Sequence, residues 1–463
     1  MDEKIKKDIA ISQLVLPCIA IAMFLFLSYF KYDLIDHFGG IRHRSVLIYH
    51  AIRLIFFGIY IVTLFQTTIL LKIPVIKESD TYEELRKKYD PLLGLRAAAF
   101  LMVFLGHWFM VVFSPYDMLR PDGDLILRFL MSASPWGGVW FFFTLSGYLM
   151  GKSFIIGRYA PNNIGIKLFY RNRALRIIPL YLISVFLVAL LQKPEFFGFA
   201  NSMQLDSFLS ELLFDSHGHG AIGALWSVST EVQFYIAIPF IYILTSRYLI
   251  SLKRVLIVSG IIFPIIIAIK TYLVVGWPSY WHTHIYFPFI ANIDCFFAGY
   301  VSAVIVSHLR KRQFYMSLGI RVGVIIAFIY YIILSYASYV FMAQEYTPHR
   351  LIYLGLFPGL TAIVTSIIII LFESSERIPP SNRFISQKGW LIQSSLGALT
   401  YSLYVWHEPV ILSIRKIFKT TITFGDALTY LPIGFFLCVC TAFIFYEFFE
   451  KKFDTMRSLA LKK

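Results

Sequence analysis

The chain has 463 residues, of which 58% are hydrophobic, 18% aromatic and only 15% charged, well below the charged content of about 25% usual in soluble domains. With a mean hydropathy of +0.69, this composition excludes a water-soluble globular protein and asks for a bilayer as solvent. Lysine and arginine outnumber aspartate and glutamate by 42 to 27, giving a formal net charge of +15; the cations sit in short clusters between apolar runs, as in cytoplasmic loops of membrane proteins, which excludes nucleic acid as the partner.

Runs long enough to span a bilayer, about 20 residues each, fall at 9–30, 46–71, 93–113, 137–156, 177–192, 227–245, 255–275, 286–307, 320–342, 351–372, 394–414 and 427–449. They predict an all-α polytopic membrane protein with about 12 transmembrane helices. The first run is too long for a signal-peptide core and lacks a small-residue cleavage site, so it is expected as a retained anchor. The fifth is short, with Pro179 near its start, where a proline is tolerated in the first turn. Segment 77–90 reads as an amphipathic connector and 193–225 as the largest outer loop. No internal repeat, low-complexity tract or sizeable soluble domain is visible. Cys18, Cys295, Cys438 and Cys440 lie in apolar runs without metal-ligand or CxxC spacing and read as small buried hydrophobes.

Orientation follows from loop charge. Cations gather at Lys72–Lys88, Lys152–Arg176, Arg247–Arg254, Arg310–Arg321, Arg377–Lys388 and Lys451–Lys463, which are alternate loops. The positive-inside rule places these in the cytoplasm with both termini. Arg42, Arg44, Arg415, Lys416 and Lys419 fall on the outer side against the trend.

Within the apolar runs a few ionisable residues stand out, and such groups usually line a substrate path or reaction site. Arg96 and His107 are eleven positions apart in GLRAAAFLMVFLGHW, which on a helix puts them on one face about 16 Å apart along the axis. Arg173 and Arg176 share a face at i, i+3 and suit phosphates, which arginine grips in a planar fork; as an alternative they are interfacial anchors. Glu231 approaches the depth of His107 from the outer side, and Trp226 starts its helix at the interface. His407 and Glu408 precede Pro409, and His407 alone reads equally as a packing histidine. Asp294 is expected in an interhelical polar contact, and Glu447 and Glu450 in pairs with Lys451, Lys452 or other interfacial cations. His217 and His219, without partner ligands, read as a flexible loop, and no metal is expected.

Taken together, GLRAAAFLMVFLGHW, WFFFTLSGYLMGKSF, YRNRALRIIPLYL, LWSVSTEVQFYIAIPF, LTYSLYVWHEPV and YEFFEKKF resemble, in order and spacing, the acyltransferase-3 family of integral membrane acyltransferases. The resemblance covers residues 91–453. Its basic residue–x10–histidine pattern is met by Arg96 and His107, and its RxxR pattern by Arg173 and Arg176. It implies a ten-helix membrane domain at 91–453, preceded by two extra helices and a connector at 1–90 and followed by a basic tail at 454–463. It further implies transfer of an acyl group, usually acetyl, from cytoplasmic acyl-CoA to a hydroxyl of a cell-envelope carbohydrate or glycolipid, in the cell membrane (the inner one in a bacterium). The periplasmic SGNH hydrolase-like domain fused to some members is not found, leaving open whether a separate periplasmic partner finishes the transfer.

One mechanism fits both readings. The acyl-CoA donor phosphates bind Arg173, Arg176 and Arg96, and the pantetheine arm runs toward His107, which is either general base or covalent acyl carrier. Glu231 orients the imidazole or the acceptor, Trp140, Trp226 and Tyr235 offer sugar-stacking surface, and Ser146 and Tyr401 are candidate oxyanion donors. The competing classes are a twelve-helix proton-coupled transporter, disfavoured by the lack of similarity between halves, and a polysaccharide polymerase or flippase.

Overall fold

A computed structural model of the chain describes residues 15, 17–28, 31, 34–35, 42–70, 90–113, 135–197, 201–215, 220–246, 248, 251–276, 286–314, 316, 318–342, 348–375, 387–417, 424–453 and 456. Its elements are α1 (Pro17–Ser28), α2 (His43–Leu70), α3 (Pro91–Trp108), α4 (Pro135–Ile155), α5 (Asn163–Gln192), α6 (Ser202–Leu212), α7 (Trp226–Thr245) and α8 (Leu252–Gly276). There follow α9 (Ile293–Lys311), α10 (Gly319–Met342), α11 (Pro348–Glu373), α12 (Gln387–Ala398), α13 (Thr400–Ile417) and α14 (Phe424–Phe445). No strand occurs among the described residues beyond one isolated bridge, Met316 to Ser375. Nine of the described helices are long and apolar enough to cross a membrane, so the chain is an all-α, multi-pass membrane protein.

The bundle is built around α4, which packs on α3, α7, α9 and α11. Every α4 residue except Trp136, Phe142 and Leu149 is buried, so this helix meets protein on all sides and can carry serines, glycines and a lysine. Its closest partner is α9, and the approach is backbone to backbone. A methyl group at Gly147 would strike the Phe296 carbonyl, and one at Gly299 the Thr144 carbonyl, the small-residue packing that lets membrane helices touch. Gly147→Leu is therefore expected to destabilise the fold by about 3 kcal/mol. Thermal unfolding in detergent checks this against Gly58→Leu, where open space surrounds the glycine and no shift is expected.

Three expectations from sequence change. The fifth span is a 30-residue helix starting at Asn163, not at 177: the Asn162 side chain accepts from the Gly165 N–H at 2.8 Å, and Pro179 lies in the interior. The run at 394–414 is two helices, α12 and α13, and the segment 193–225, expected as a loop, contains α6, capped by Asn201 on the Gln204 N–H at 3.0 Å. The connector at 77–89, His217, His219 and most of the basic tail lie outside the described residues.

The two N-terminal helices are tied to α6 by a buried polar network. Lys31 pairs with Asp206 at 2.9 Å and His50 meets the same carboxylate at 3.1 Å. Arg53 reaches Asp215 at 3.4 Å, donates to Ser28 at 2.7 Å, and Tyr49 donates to Asp215 at 2.7 Å. Burial alone would raise the Asp206 carboxyl, but Lys31 and His50 hold it well below the usual carboxylate range. Glu211, one turn on, meets a Tyr181 hydroxyl at 2.9 Å instead of a cation, and burial pushes it up to about 8. Asp294 pairs with Lys270 at 3.2 Å between α9 and α8. Glu447 pairs with Lys451 at 2.7 Å, whereas Glu450 accepts from Ser402 at 2.7 Å. Among the cysteines, Cys295 and Cys438 are buried, Cys18 and Cys440 half-buried, and all are free thiols.

Candidate active site

The site is assembled on α3. Asp90 caps this helix, accepting from the Leu92 N–H at 3.0 Å, and Pro91 sits where its missing N–H costs nothing. Arg96 is therefore one to two turns in, and His107 stands at the far end, about 16 Å along the axis. Phe100, Phe104 and Trp108 pack a second face of α3 against α13 and α14, and the Trp108 indole donates to the Ala427 carbonyl at 2.9 Å. That packing fixes the rotation of the helix and so the direction of the arginine–histidine stripe.

Around Arg96 a cleft of about 790 Å³, open solvent included, brings together Arg173 and Arg176 from α5, Ser146 from α4, Glu231 and Tyr235 from α7, and Tyr401 and Tyr404 from α13. Glu231 accepts hydrogen bonds from both Ser146 and Tyr235. The Tyr235 ring in turn lies 5.8 Å beneath the Arg173 guanidinium, a cation–π arrangement. Tyr401 donates to the Ile177 carbonyl at 2.8 Å. The hydroxyl protons of Ser146 and Tyr401 are thus already committed to protein acceptors. Three guanidiniums around one carboxylate leave the cleft cationic, and the arrangement is fit to grip an anion with several oxygens.

His107 does not line this cleft. Its Nδ1 lies 2.8 Å from His407 Nε2, and His407 Nδ1 lies 2.5 Å from the Tyr404 carbonyl one turn back on α13. A carbonyl can only accept, so His407 carries its proton on Nδ1 and offers a lone pair at Nε2. With both rings neutral, His107 must donate from Nδ1, and its own Nε2 is left with a free lone pair. The pair is thereby a tautomer relay that presents a base. His407 is fully buried and edge-on to Phe100, with ring centroids 6.1 Å apart, while His107 is half-buried.

Cleft and histidine pair meet at Tyr404. This residue lines the cleft, supports His407 through its carbonyl and shares a 2.6 Å hydrogen bond with Ser227. Phe142, also in the cleft wall, stands edge-on to it at 5.8 Å. Glu408 points elsewhere: it accepts from the Ala224 N–H at 2.5 Å, at the turn leading into α7, where a carboxylate is favoured by the helix dipole. Trp226 is packed on Tyr286 at 4.4 Å, and Trp140, only 1% exposed, on Tyr353 at 5.8 Å. The two tryptophan faces are covered by neighbouring rings, whereas Tyr235 faces the cleft.

The sequence groups Arg96, Arg173 and Arg176 at one end and sets Glu231 beside His107 at the other; the structure instead places Glu231 in the cleft with the three arginines, a cleft that His107 does not line. Sequence reasoning had not paired His107 with His407 or noticed Tyr404 and Ser227. The signal for Tyr404 was its place one turn before His407 in YVWH, which lets a main-chain carbonyl set the tautomer. Among the described residues no group of three or more His, Cys, Asp or Glu side chains is arranged to hold a metal ion.

Comparison with known proteins bears on this arrangement. Residues 92–447 match the family described as an acyltransferase domain, acyltransferase-3. An O-acetyltransferase, OatA, from Staphylococcus aureus strain NCTC 8325 / PS 47 is 24% identical over 362 residues, covering 73% of this chain and 54% of the relative. Proteins of the same name from strains COL and MRSA252 align with the same identity and coverage. The chain spans about half the length of the curated relatives it matches. No solved structure matches it significantly. The family match extends over most of the chain and includes α3, α5, α7 and α13, which carry the arginine cleft and the histidine pair, and the chain belongs to the acyltransferase-3 family of membrane acyltransferases.

Proposed function

We propose that the chain is a membrane O-acyltransferase that moves an acyl group, acetyl in the simplest case, from acyl-CoA to a hydroxyl of a cell-envelope carbohydrate or glycolipid. The observation that carries this reading is the division of labour along α3: an anion-gripping cleft of three arginines at one end and a histidine with an unprotonated Nε2 at the other. The name of the S. aureus relatives, O-acetyltransferase, supports the same chemistry.

In this reading the phosphates of acyl-CoA lie against Arg96, Arg173 and Arg176, on the cytoplasmic side by the distribution of loop charge, and the pantetheine arm runs past Tyr404 toward His107. His107 Nε2 takes the acceptor hydroxyl proton as the oxygen attacks the thioester carbon. A C–O bond forms, the C–S bond breaks, and the thiolate of coenzyme A leaves with the proton from the imidazolium. His407 holds the tautomer, as the partner of a catalytic imidazole does in other acyl-transfer sites. Glu231 fixes Ser146 and Tyr235 in the cleft and acts on the donor end. In the second form of the mechanism, His107 Nε2 attacks the thioester itself and holds the acyl group.

Membranes containing the native chain and radiolabelled acetyl-CoA are expected to place label in an envelope glycan or glycolipid, with none transferred in membranes lacking the chain. Label accumulating inside vesicles without covalent transfer would indicate a carrier and sink this assignment. The purified chain in vesicles, supplied with donor and acceptor alone, shows whether a separate transferase is needed.

A further inference from the structure

A second cavity flanks the arginine cleft. It runs between α2 and α5 with α7 at its back, encloses about 1410 Å³ including open space, and is apolar along most of its length, with Phe57 and Ile61 from α2, Ala174 and Ile178 from α5, and Ile236 from α7. The part of it that a water-sized sphere can occupy is about 570 Å³, within the usual range for small-molecule pockets, about 300–1,000 Å³. Leu54 and Ile178 on its rim are 46% and 37% exposed, on helices long and apolar enough to face lipid, so the groove opens sideways.

Three cations line it, Arg53, Lys167 and Arg173. Arg53 is spent in the network with Asp215 and Ser28. At the other end Lys167 is exposed over the Phe65 ring. Between them, Arg173, Ile177 and Tyr235 line both this groove and the cleft, so the two cavities share one wall. The Arg173 Nε–H is buried there without a hydrogen-bond acceptor. Buried donors are nearly always satisfied, and an unmet one is costly. The guanidinium is answered elsewhere by the Tyr159 hydroxyl, and its Nε–H leaves a place for an acceptor atom from outside the chain.

Resting on the acyltransferase reading above, we propose that this groove is the acceptor's membrane anchor site: it takes the hydrocarbon chain of a lipid whose phosphate-bearing head meets Arg173 and whose acceptor hydroxyl, carried farther out on the head, extends along α3 toward His107. The five N–H donors of one guanidinium allow Arg173 to serve the donor phosphates on one side and the lipid head on the other. The extra helix α2 supplies one wall of the groove, which gives the N-terminal pair a task in substrate selection.

The test uses the full chain in phosphatidylcholine vesicles doped with phosphatidic acid that carries a diazirine on its acyl chain. After irradiation, label is expected on peptides containing 54–65 and 174–178, and Ile61→Trp is expected to lower it by about tenfold. Ile257→Trp, on the lipid-facing side of α8 and 51% exposed, should leave that labelling unchanged. Should Ile61→Trp fail to fold, Ile178→Trp at the open rim fills the same groove. Label spread evenly over all lipid-facing helices, or unaffected by either tryptophan, overturns the site. In the transfer assay, Ile61→Trp should raise KM for a lipid-borne acceptor by about tenfold and leave that for acetyl-CoA unchanged. A rise confined to the acyl-CoA KM instead assigns the groove to the donor's acyl chain and overturns the acceptor assignment. Crosslinking needs no turnover, so a chain that transfers nothing while labelling the groove refutes the acyltransferase reading alone.

Discussion

Replacing His107 with alanine is expected to lower the rate of acyl transfer by about 10³-fold with little change in the KM for acyl-CoA, because general-base assistance contributes about 10²- to 10⁴-fold. His107 stands outside the cleft that holds the three arginines, so its loss removes the base without touching the anion grip. His407→Phe tests the relay. Phenylalanine keeps the ring that packs on Phe100 but offers no acceptor to His107 Nδ1, which frees the imidazole to take the wrong tautomer. A fall of about 10²-fold in kcat is expected, in line with other partners that hold a functional histidine, again with acyl-CoA KM preserved. A merely structural His407 would lower the amount of folded protein and leave kcat per folded molecule intact. Acid quenching during turnover separates the two chemical forms: acyl label retained on the native protein and absent from His107→Ala marks a covalent carrier, and its absence marks a general base.

The arginines should give the opposite signature. Charge-assisted hydrogen bonds contribute about 1.5–3 kcal/mol each, so Arg173→Ala with Arg176→Ala is expected to raise the acyl-CoA KM by at least about 10²-fold. Turnover at saturating donor should change far less. Both side chains line the cleft beside Arg96, and removing two of three cations leaves Glu231 with one. An unchanged KM would mean that the pair only anchors the helix at the membrane surface. Steady-state kinetics on the double variant and on Arg96→Ala decide this, and the salt dependence of KM should weaken in each variant as the screened attraction is lost.

Much of this site was legible because it lies on regular helices. The spacing of Arg96 and His107 is a fact of helical periodicity, and the i, i+3 placement of Arg173 and Arg176 survives although their helix begins well before the apolar run. The start of α5 was missed because RNRALR looks like a charged loop, when Asn162 ahead of Gly165 was a usable cap signal. In α6, Leu205, Phe208, Leu209 and Leu212 follow an i, i+3, i+4, i+7 pattern behind Asn201, enough to announce an amphipathic helix. The histidine pair was not legible. His107 and His407 are 300 residues apart, and no local pattern specifies a contact of that range. Ser146 and Tyr401 fitted the oxyanion role by residue type, but only geometry reveals that their protons already bind Glu231 and Ile177.

The ties between the N-terminal helices and α6 bear on how the protein is made. Lys31 and Arg53 find their partners Ser210 and Leu213 at separations of 179 and 160 residues, so these cations leave the ribosome long before their partners exist. At a synthesis rate of about 5–20 residues per second the interval is roughly 10–30 s. Throughout it Arg53 has the Ser28 hydroxyl of α1 as a partner but neither Asp215 nor the Leu213 carbonyl, at an insertion penalty of about 3 kcal/mol if that residue is near the bilayer centre. The contacts that fix α2 in the bundle are therefore completed only after α6 and Asp215 have been synthesised.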